Sequence, residues 1–455
     1  MIEAVCGSEF VCSAGEDLST YGRDQTLDYV FPFDLLVRPG SPEEIAAVLR
    51  ICYQWNVPVT PRGGGSGVTG GALPVEGGVV LSLDRLNRII DVDPEERYVI
   101  AESGVITADL CKAVEEQGLY FPAAPSSSSM SFIGGNVAVN AGSIHSCKYG
   151  KTGSYVLNLE VVLPTGEIIW TGANVAKVST GFNLTQLFIG TEGTMGIITK
   201  VVIRLLPLPA HRILLLTAFN ALDHACDTVL AIRRSRATPS AVELITENAI
   251  RFTAGYLQGT LPLVNQDVRA HLLIELEEDD EDKLYSSLSV LKPVLEKNAS
   301  EDILVASTAS EKQKLLSLRM NIGNAMTSGD YIYRDVDIAI PVRLLYQFIR
   351  RVEDICGRYS IRLSCFGHAA DGNMHTMLFE KKQSGRMESD DLKMAINELY
   401  RYAIQLGGVI SGEHGVGMLH RAFMPIQFSE THLNLMRNIK QVLDPKNLVN
   451  PGKLI

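Results

Sequence analysis

The sequence predicts an α+β protein of more than one domain, and three observations carry that reading. Apolar runs rich in β-branched residues, GVVLSL (78–83), RIIDVD (88–93) and YVIAESG (98–104), follow one another in quick succession and read as strands. Pro207-Leu208-Pro209 then marks a boundary. Beyond it ILLLTAF (213–219), a helix from about Asp223 to Arg236 and HLLIELE (271–277) form a second α+β set. A chain of 455 residues is long enough for two or three domains with a large buried core.

The other elements follow in order. EEIAAVLRICYQW (43–55) has helical periodicity, and VPVTP (57–61) is a short strand after it. The segment PRGGGSGVTGG (61–71) is glycine-rich. Residues 107–118 predict a helix opened by Thr107 and closed by Gly118. Residues 122–143 are small and lack a helical or strand period through their serines. A strand pair is expected over 156–170 around Pro164-Thr165-Gly166, and GTEGTMGIIT (190–199) leads into the strand VVIRLLPL. The acidic run EEDDEDK (277–283) predicts a solvated loop or helix start.

Composition narrows the function classes. A net charge of -11 leaves no basic footprint, which excludes nucleic acid as a partner and requires an anionic substrate to find local arginines or lysines. The eight cysteines (6, 12, 52, 111, 147, 226, 356 and 365) form no Cys-x-x-Cys pair. That pattern suits reduced thiols in a cytoplasmic protein and speaks against a zinc ribbon or an iron–sulfur cluster on this chain. Met1 to Asp17 lacks the features of a secretory signal, and no apolar run reaches the length of a membrane span. Any membrane association is expected to be peripheral, through a partner.

Two short stretches concentrate reactive side chains: GHAADGNMH (367–375) and SGEHGVG (411–417), which hold three of the nine histidines. A spacing of seven puts His368 and His375 roughly 10 Å apart on a helix and on opposite faces of one strand. A two-residue turn at Asp371-Gly372 instead sets 370 against 373, 369 against 374 and His368 against His375. Opposed Cβ atoms roughly 5 Å apart suit two ligands of one divalent metal. Glu413 is the candidate third ligand, because two histidines and a carboxylate bind zinc, manganese or iron and leave positions open. His414 follows it, and the glycines at 412, 415 and 417 imply an irregular loop able to present both side chains to one cleft. Asn373 lies two residues from His375, on the histidine face. The alternative is a hairpin whose histidines are merely polar surface or satisfied core residues.

Gly65-x-Gly67-x-x-Gly70 matches the dinucleotide fingerprint in letters but not in context. A Rossmann unit needs a helix to open there, whereas Gly70-Gly71-Ala72-Leu73-Pro74 and Glu76-Gly77-Gly78 break helical geometry. The run can still expose consecutive N–H groups as an anion nest. With the small-residue segment 122–143 it fits a pyrophosphate-containing cofactor; a flexible surface loop is the alternative.

Read together, PRGGGSGVTGG, PSSSSMSFIGGNVAVNAGS (125–143), KYG (148–150), TGFNL (180–184), LFIGTEGTMGIIT (187–199), the two histidine stretches and NPGK (450–453) resemble the FAD-linked oxidase family. The likeness is collinear over nearly the whole chain. Within the family they resemble the D-2-hydroxyacid dehydrogenase branch, which includes D-lactate dehydrogenase, D-2-hydroxyglutarate dehydrogenase and the flavin subunit of glycolate oxidase. The resemblance implies a two-subdomain FAD-binding domain of the PCMH (vanillyl-alcohol oxidase) type over 1–208. It further implies an α+β substrate (cap) domain with an antiparallel sheet over 209–410, and a C-terminal segment, 411–455, that returns to the FAD domain and completes the active site. FAD contacts are implied at Pro61, Arg62, Gly63, Gly64, Gly65, Ser66, Gly67, Thr69, Gly70, Pro125, Ser129, Ile133, Gly134, Gly135, Asn140, Ala141, Gly142, Glu192, Gly196, Ile197, Ile198 and Asn450. Some relatives tether the flavin through a histidine in the first loop; this loop has none, so the FAD is expected to be noncovalent.

The resemblance also assigns roles. His368, His375 and Glu413 become the ligands of one divalent metal, His414 the catalytic base and Asn373 a substrate contact. Arg319, in EKQKLLSLRMNIG (311–323), becomes the grip on the substrate carboxylate, a task its bidentate fork suits; alone it reads as a surface helical charge. The implied chemistry is oxidation of a small D-2-hydroxy acid to the 2-oxo acid, with the metal as Lewis acid, His414 taking the hydroxyl proton and the Cα hydride passing to flavin. Two departures matter. A lysine that some relatives carry after the Glu-His motif is replaced by His420 or Arg421. The lysine that meets the distal carboxylate in the 2-hydroxyglutarate enzymes has no clean match in YRDVD (333–337), where Arg334 is one residue out of register. A short monocarboxylate such as D-lactate or glycolate is therefore favoured. Electrons are expected to leave to an electron-transfer flavoprotein, an iron–sulfur subunit or a quinone, and a homodimer is compatible with the reading. The alternatives are the flavin subunit of a multi-subunit glycolate oxidase, a D-2-hydroxyglutarate dehydrogenase, and a non-catalytic flavin electron-transfer subunit.

Overall fold

The computed structural model describes residues 1–13, 16–26, 29–257, 263–298, 303–327, 331–381 and 388–455. It divides into two compact units, one of Met1–Ser143, Lys151–Leu208 and Glu413–Ile455, the other of Ile144–Gly150 and Pro209–Gly412.

Among the described residues the first unit holds three sheets, one of them only the short antiparallel pair Leu119–Tyr120 and Leu206–Pro207. In the first, Val11–Ser13, Leu35–Val37, Val79–Ser82 and Val59–Arg62 lie side by side, the first pair antiparallel and the others parallel. The helix Pro42–Trp55 covers it with Ile45, Val48, Leu49 and Cys52, in one core with Val37, Val59, Val79 and Leu81. Burying each such aliphatic side chain contributes roughly 1.5–3 kcal/mol. Local chemistry fixes the ends of this helix: Ser41 accepts from Glu44 N at 3.2 Å, Pro42 occupies the first turn and Asn56 adopts φ 54° after the last. The second sheet is antiparallel, in the order Ile89–Asp93, Tyr98–Glu102, Ile197–Arg204, Val156–Val162, Ile168–Trp170. The C-terminal segment joins the first sheet, where Val59 N donates to Leu448 O and Asn450 N to Val59 O, both at 2.8 Å.

The second unit is built on a seven-stranded antiparallel sheet, in the order Leu304–Ala306, His211–Phe219, Ala270–Glu278, Ala241–Thr246, Arg362–His368, Asn373–Lys381, Tyr331–Ala339. Side chains alternate faces along each strand. On one face Ala218, Ile245, Phe366, Met377 and Phe379 pack with Ala249, Ile250, Leu318 and Ile322 from the helices Glu247–Leu257, Ala309–Met320 and Ile322–Thr327. By the same alternation that face also carries Glu243, His368, Asn373, His375, Asp335 and Asp337.

The expected α+β class with antiparallel sheets is present, and two local expectations are corrected. Thr107 does not cap its helix from outside. It is the first residue of Thr107–Glu115, and its hydroxyl instead bonds Ser131 O at 3.1 Å and accepts from Asn136 Nδ2 at 2.7 Å. The acidic run is not wholly solvated: Glu277 is buried in the strand Ala270–Glu278 against Arg212 Nη2 at 2.8 Å. Only from Asp280 does the run act as a helix start, capping Glu281–Glu296. Among the described residues no helix is long and apolar enough to cross a membrane.

Candidate active site

Three loops of the first unit come together. Gly64 lies so close to the second loop that a Cβ there would sit 2.0 Å from Met130 O. Gly193, at φ 69°, closes on Pro61, where a Cβ would come 2.9 Å from Pro61 Cγ. Asn450 ties the loops together, its Nδ2 donating to Gly71 O at 3.0 Å and Glu192 O at 2.7 Å. Among the described residues, the N–H groups from Gly63 to Val68 donate to no protein acceptor. A run of unengaged donors around Gly65, at φ 68°, is the nest an anion satisfies, and it fits the pyrophosphate of FAD. Arg62 closes the nest from behind, donating to the carbonyls of Thr20, Tyr21 and Arg23 at 3.2, 3.4 and 2.5 Å.

The remaining expected contacts divide. Pro125 and the exposed Ser129 shape the second loop, and Ile133, Gly134 and Gly135 open the helix Ile133–Val139. Gly134 touches Ser103, where a Cβ would be 2.4 Å from Ser103 Cβ, while Gly135 faces open space. Asn140, at φ 59°, accepts from Gly153 N at 2.9 Å, and Ala141 O accepts from Thr152 N at 3.0 Å. A Cβ on Gly196 would meet Val161 at 2.8 Å, and the buried Ile197 and Ile198 pair with Val162 and Val161 in the sheet. The side chains of Ile197 and Ile198 thus belong to the core.

The loop containing Glu413 and His414 belongs to the same unit and is held there by Glu192. The buried Glu192 carboxylate accepts from Val416 N and Gly417 N, both at 2.7 Å. Burial pushes its pKa up, against the pull of those two donors. Thr69 O accepts from Met418 N at 3.0 Å and Leu419 N at 3.1 Å, and Thr69 Oγ1 donates to His414 O at 3.3 Å. Gly142 borders Glu413, since a Cβ would lie 2.3 Å from its Oε2. His414 Nε2 is 3.7 Å from Glu413 Oε1.

In the second unit the histidine hairpin forms, with its register corrected. His368 pairs with Asn373 and Phe366 with His375, so residues 369–372 make a four-residue loop instead of a two-residue turn. Asp371 N and Gly372 N both turn back to His368 O, at 3.3 and 3.1 Å, and Gly372 at φ 81° fits against Ile340 O, 2.0 Å from where a Cβ would be. A shift of two residues leaves the face unchanged. The rings of His368 and His375 therefore meet on the diagonal, 5.3 Å apart and at 86°.

Neighbouring strands supply carboxylates that the sequence reading missed. Glu243, paired with His368 in register, is 1% exposed; its Oε1 meets His368 Nδ1 at 2.6 Å and its Oε2 accepts from Arg319 Nε at 2.6 Å. Burial alone raises its pKa, but His368 and Arg319 outweigh burial and hold it at about 2. Arg319, 4.7 Å above the Phe366 ring, is thus no surface helical charge. On the other side Asp337 accepts from Asn373 Nδ2 at 2.7 Å, Ser411 Oγ at 3.0 Å and Gly412 N at 2.9 Å, and Asp335 Oδ2 lies 3.7 Å from His375 Nδ1. Arg334 pairs with Leu378, on the face opposite His375, and donates to Glu388. A carboxylate inside an otherwise apolar strand such as AVELIT (241–246) was the available signal for Glu243, because an unpaired charge there is untenable.

Residues 208–454 match the family model described as FAD linked oxidases, C-terminal domain, and residues 33–172 match FAD binding domain. The chain belongs to the FAD-linked oxidases. It is 33% identical to glycolate oxidase subunit GlcD of Bacillus subtilis (strain 168), over 99% of this chain and 95% of that protein. It is 32% identical to a D-lactate dehydrogenase of Anaerostipes hadrus, over 96% of this chain and 91% of that one. Among solved structures, p-cresol methylhydroxylase superposes with a TM-score of 0.80 at 18% identity, over 99% of this chain and 95% of that one, a likeness of fold. The protein is an FAD-dependent oxidoreductase of the D-lactate, glycolate and 2-hydroxyglutarate dehydrogenase group.

Proposed function

We propose that this FAD-linked oxidase oxidises a short 2-hydroxy acid with a single carboxylate, D-lactate or glycolate, to the 2-oxo acid. The observation that carries the reading is Arg319 held beside His368 and His375 on one sheet face, with Asp335 and Asp337 on the next strand where a second substrate carboxylate would be repelled. The donor set fits a divalent cation. A carboxylate on His368 Nδ1 favours the tautomer whose Nε2 can ligate, and His375 lies within reach on the diagonal. Glu413, one residue beyond the anchored Gly412, would complete two histidines and a carboxylate; zinc, manganese and iron all accept such a set.

The FAD, held noncovalently because the 61–71 loop offers no histidine or cysteine, supplies when bound the acceptor of the Cα hydrogen and two electrons. The metal, when bound, supplies Lewis acidity. Arg319 orients the substrate carboxylate through the edge of its guanidinium not used by Glu243. His414 takes the hydroxyl proton as general base. Asn373, its Nδ2 engaged by Asp337 and its amide packed against Gly412, serves as a substrate contact. A carrier outside this chain reoxidises the flavin; a relative that is itself named a subunit supports a protein partner, such as an electron-transfer flavoprotein or an iron–sulfur subunit.

The test is anaerobic bleaching of the bound flavin by D-lactate, L-lactate, glycolate, D-malate and D-2-hydroxyglutarate. Bleaching by D-lactate or glycolate and none by the dicarboxylates is expected. Faster bleaching by D-2-hydroxyglutarate would sink the monocarboxylate reading, and none by any hydroxy acid would sink the dehydrogenase itself.

A further inference from the structure

Glu243 lies outside every set of residues the sequence motifs single out, yet it touches two of them. It sits in the middle of the strand Ala241–Thr246, all six residues of which are buried. Removing one partner from a buried pair of charges typically costs about 3–5 kcal/mol, so an ionised carboxylate there needs both of its contacts. One oxygen holds the His368 ring nitrogen Nδ1 and the other holds Arg319 Nε, each at 2.6 Å. The two partners come from distant parts of the chain, a strand end and the last turn of the helix Ala309–Met320. The carboxylate of Glu243 connects them.

Two consequences follow from this geometry. A proton on Nδ1 toward Glu243 puts the His368 lone pair on Nε2, the atom that would coordinate a metal, and the bond fixes the direction in which that lone pair points. Arg319, held through Nε and resting on Phe366 at 4.7 Å, keeps its outer edge, Nη1 and Nη2, without another protein partner among the described residues. That edge is the fork that grips a carboxylate with two parallel hydrogen bonds.

We propose that Glu243 is a positioning residue that sets the metal-binding histidine and the carboxylate-binding arginine as one rigid pair. The distance between hydroxyl and carboxylate in a 2-hydroxy acid is short and fixed, and a shared carboxylate holds the two groups that would receive them at a fixed separation. The inference rests on the metal and substrate roles proposed above.

Its test compares metal binding with substrate binding in the FAD-loaded enzyme. After chelation, Zn²⁺ is titrated back in competition with a chromophoric chelator, and the KM for D-lactate is measured in parallel. Glu243→Gln should weaken Zn²⁺ binding by about 10–100-fold, the usual effect of losing a carboxylate behind a ligating histidine, and should raise KM as well. Arg319→Gln should raise KM and leave Zn²⁺ affinity near wild type. Should E243Q fail to fold because its arginine is left unpaired, the same drop in Zn²⁺ affinity is expected between R319Q and the double variant E243Q/R319Q. Unchanged Zn²⁺ affinity on losing Glu243, with wild type binding Zn²⁺ tightly, overturns the positioning role and leaves the proposed function standing. A wild type that binds no Zn²⁺ overturns the metal reading itself, and the inference with it.

Discussion

His368 and His375 meet on the diagonal of their hairpin, 5.3 Å apart and nearly perpendicular, although the first pairs with Asn373 and the second with Phe366. The four-residue loop between the strands produces this offset, and it separates the backbones while keeping both rings on one face. The arrangement brings two imidazoles together without stacking them.

Replacing His375 by alanine should abolish tight binding of a divalent metal and leave FAD bound. The nest from Gly63 to Val68 and the hairpin belong to different compact units. Metal content and flavin absorbance, measured on one preparation, check this. Loss of the flavin together with the metal would mean that the two sites are not separable.

Asp337 holds three buried or half-buried donors, Asn373 Nδ2, Ser411 Oγ and Gly412 N. Asp337→Ala should cost about 2–4 kcal/mol, since each donor left unsatisfied costs about 1–3 kcal/mol where water cannot replace the acceptor. Turnover should fall further than stability requires, because the chain entering Glu413 loses its anchor. An unchanged denaturation midpoint would show that the donors find other partners.

Gly64 has no room for a methyl group, with Met130 O 2.0 Å from the Cβ position. Gly64→Ala should push the first two loops apart and yield protein depleted of flavin, read from the ratio of absorbance at the flavin and protein bands. Full flavin occupancy in this variant would argue that the nest is not the pyrophosphate site.

Lys453 is buried and donates to Leu73 O at 2.6 Å; burial lowers its pKa to about 8 from 10.5, against the pull of Glu192. The unfolded chain therefore binds more protons than the folded one between those values, and stability contributed by this group rises with pH across that window. It is lowest below about 8 and levels off above 10.5. Subtracting the stability–pH curve of Lys453→Met isolates this rise from the titration of other groups. A difference curve that is flat from pH 8 to 10 would contradict the shift.

Much of this was legible in the sequence, and what was missed has a physical pattern. Periodicity located Pro42–Trp55 and the strands, because one amphipathic or apolar face determines each. The glycine loops and the histidine hairpin were visible because turns and close backbone approach require particular residues. The hairpin register was not, since Asp371-Gly372 is compatible with both a two-residue and a four-residue connection; the helical turn formed over His368 O decides between them. Glu192 looked like a cofactor contact by resemblance, yet its carboxylate is engaged by Val416 and Gly417, some 224 and 225 positions away in sequence. Glu243 and Asp337 act through partners 36 to 125 positions away, and no local spacing announces a contact of that kind.

The central proposal is that a divalent metal on the histidine hairpin and a flavin on the glycine loops serve one reaction. The most direct measurement is anaerobic flavin reduction by D-lactate or glycolate in three states of the same holoenzyme: as purified, fully chelated with the metal loss verified by elemental analysis, and restored with Zn²⁺ or Mn²⁺. The account predicts rapid reduction in the first and third states and none in the second, with FAD bound throughout. Equal reduction rates with and without metal would contradict it.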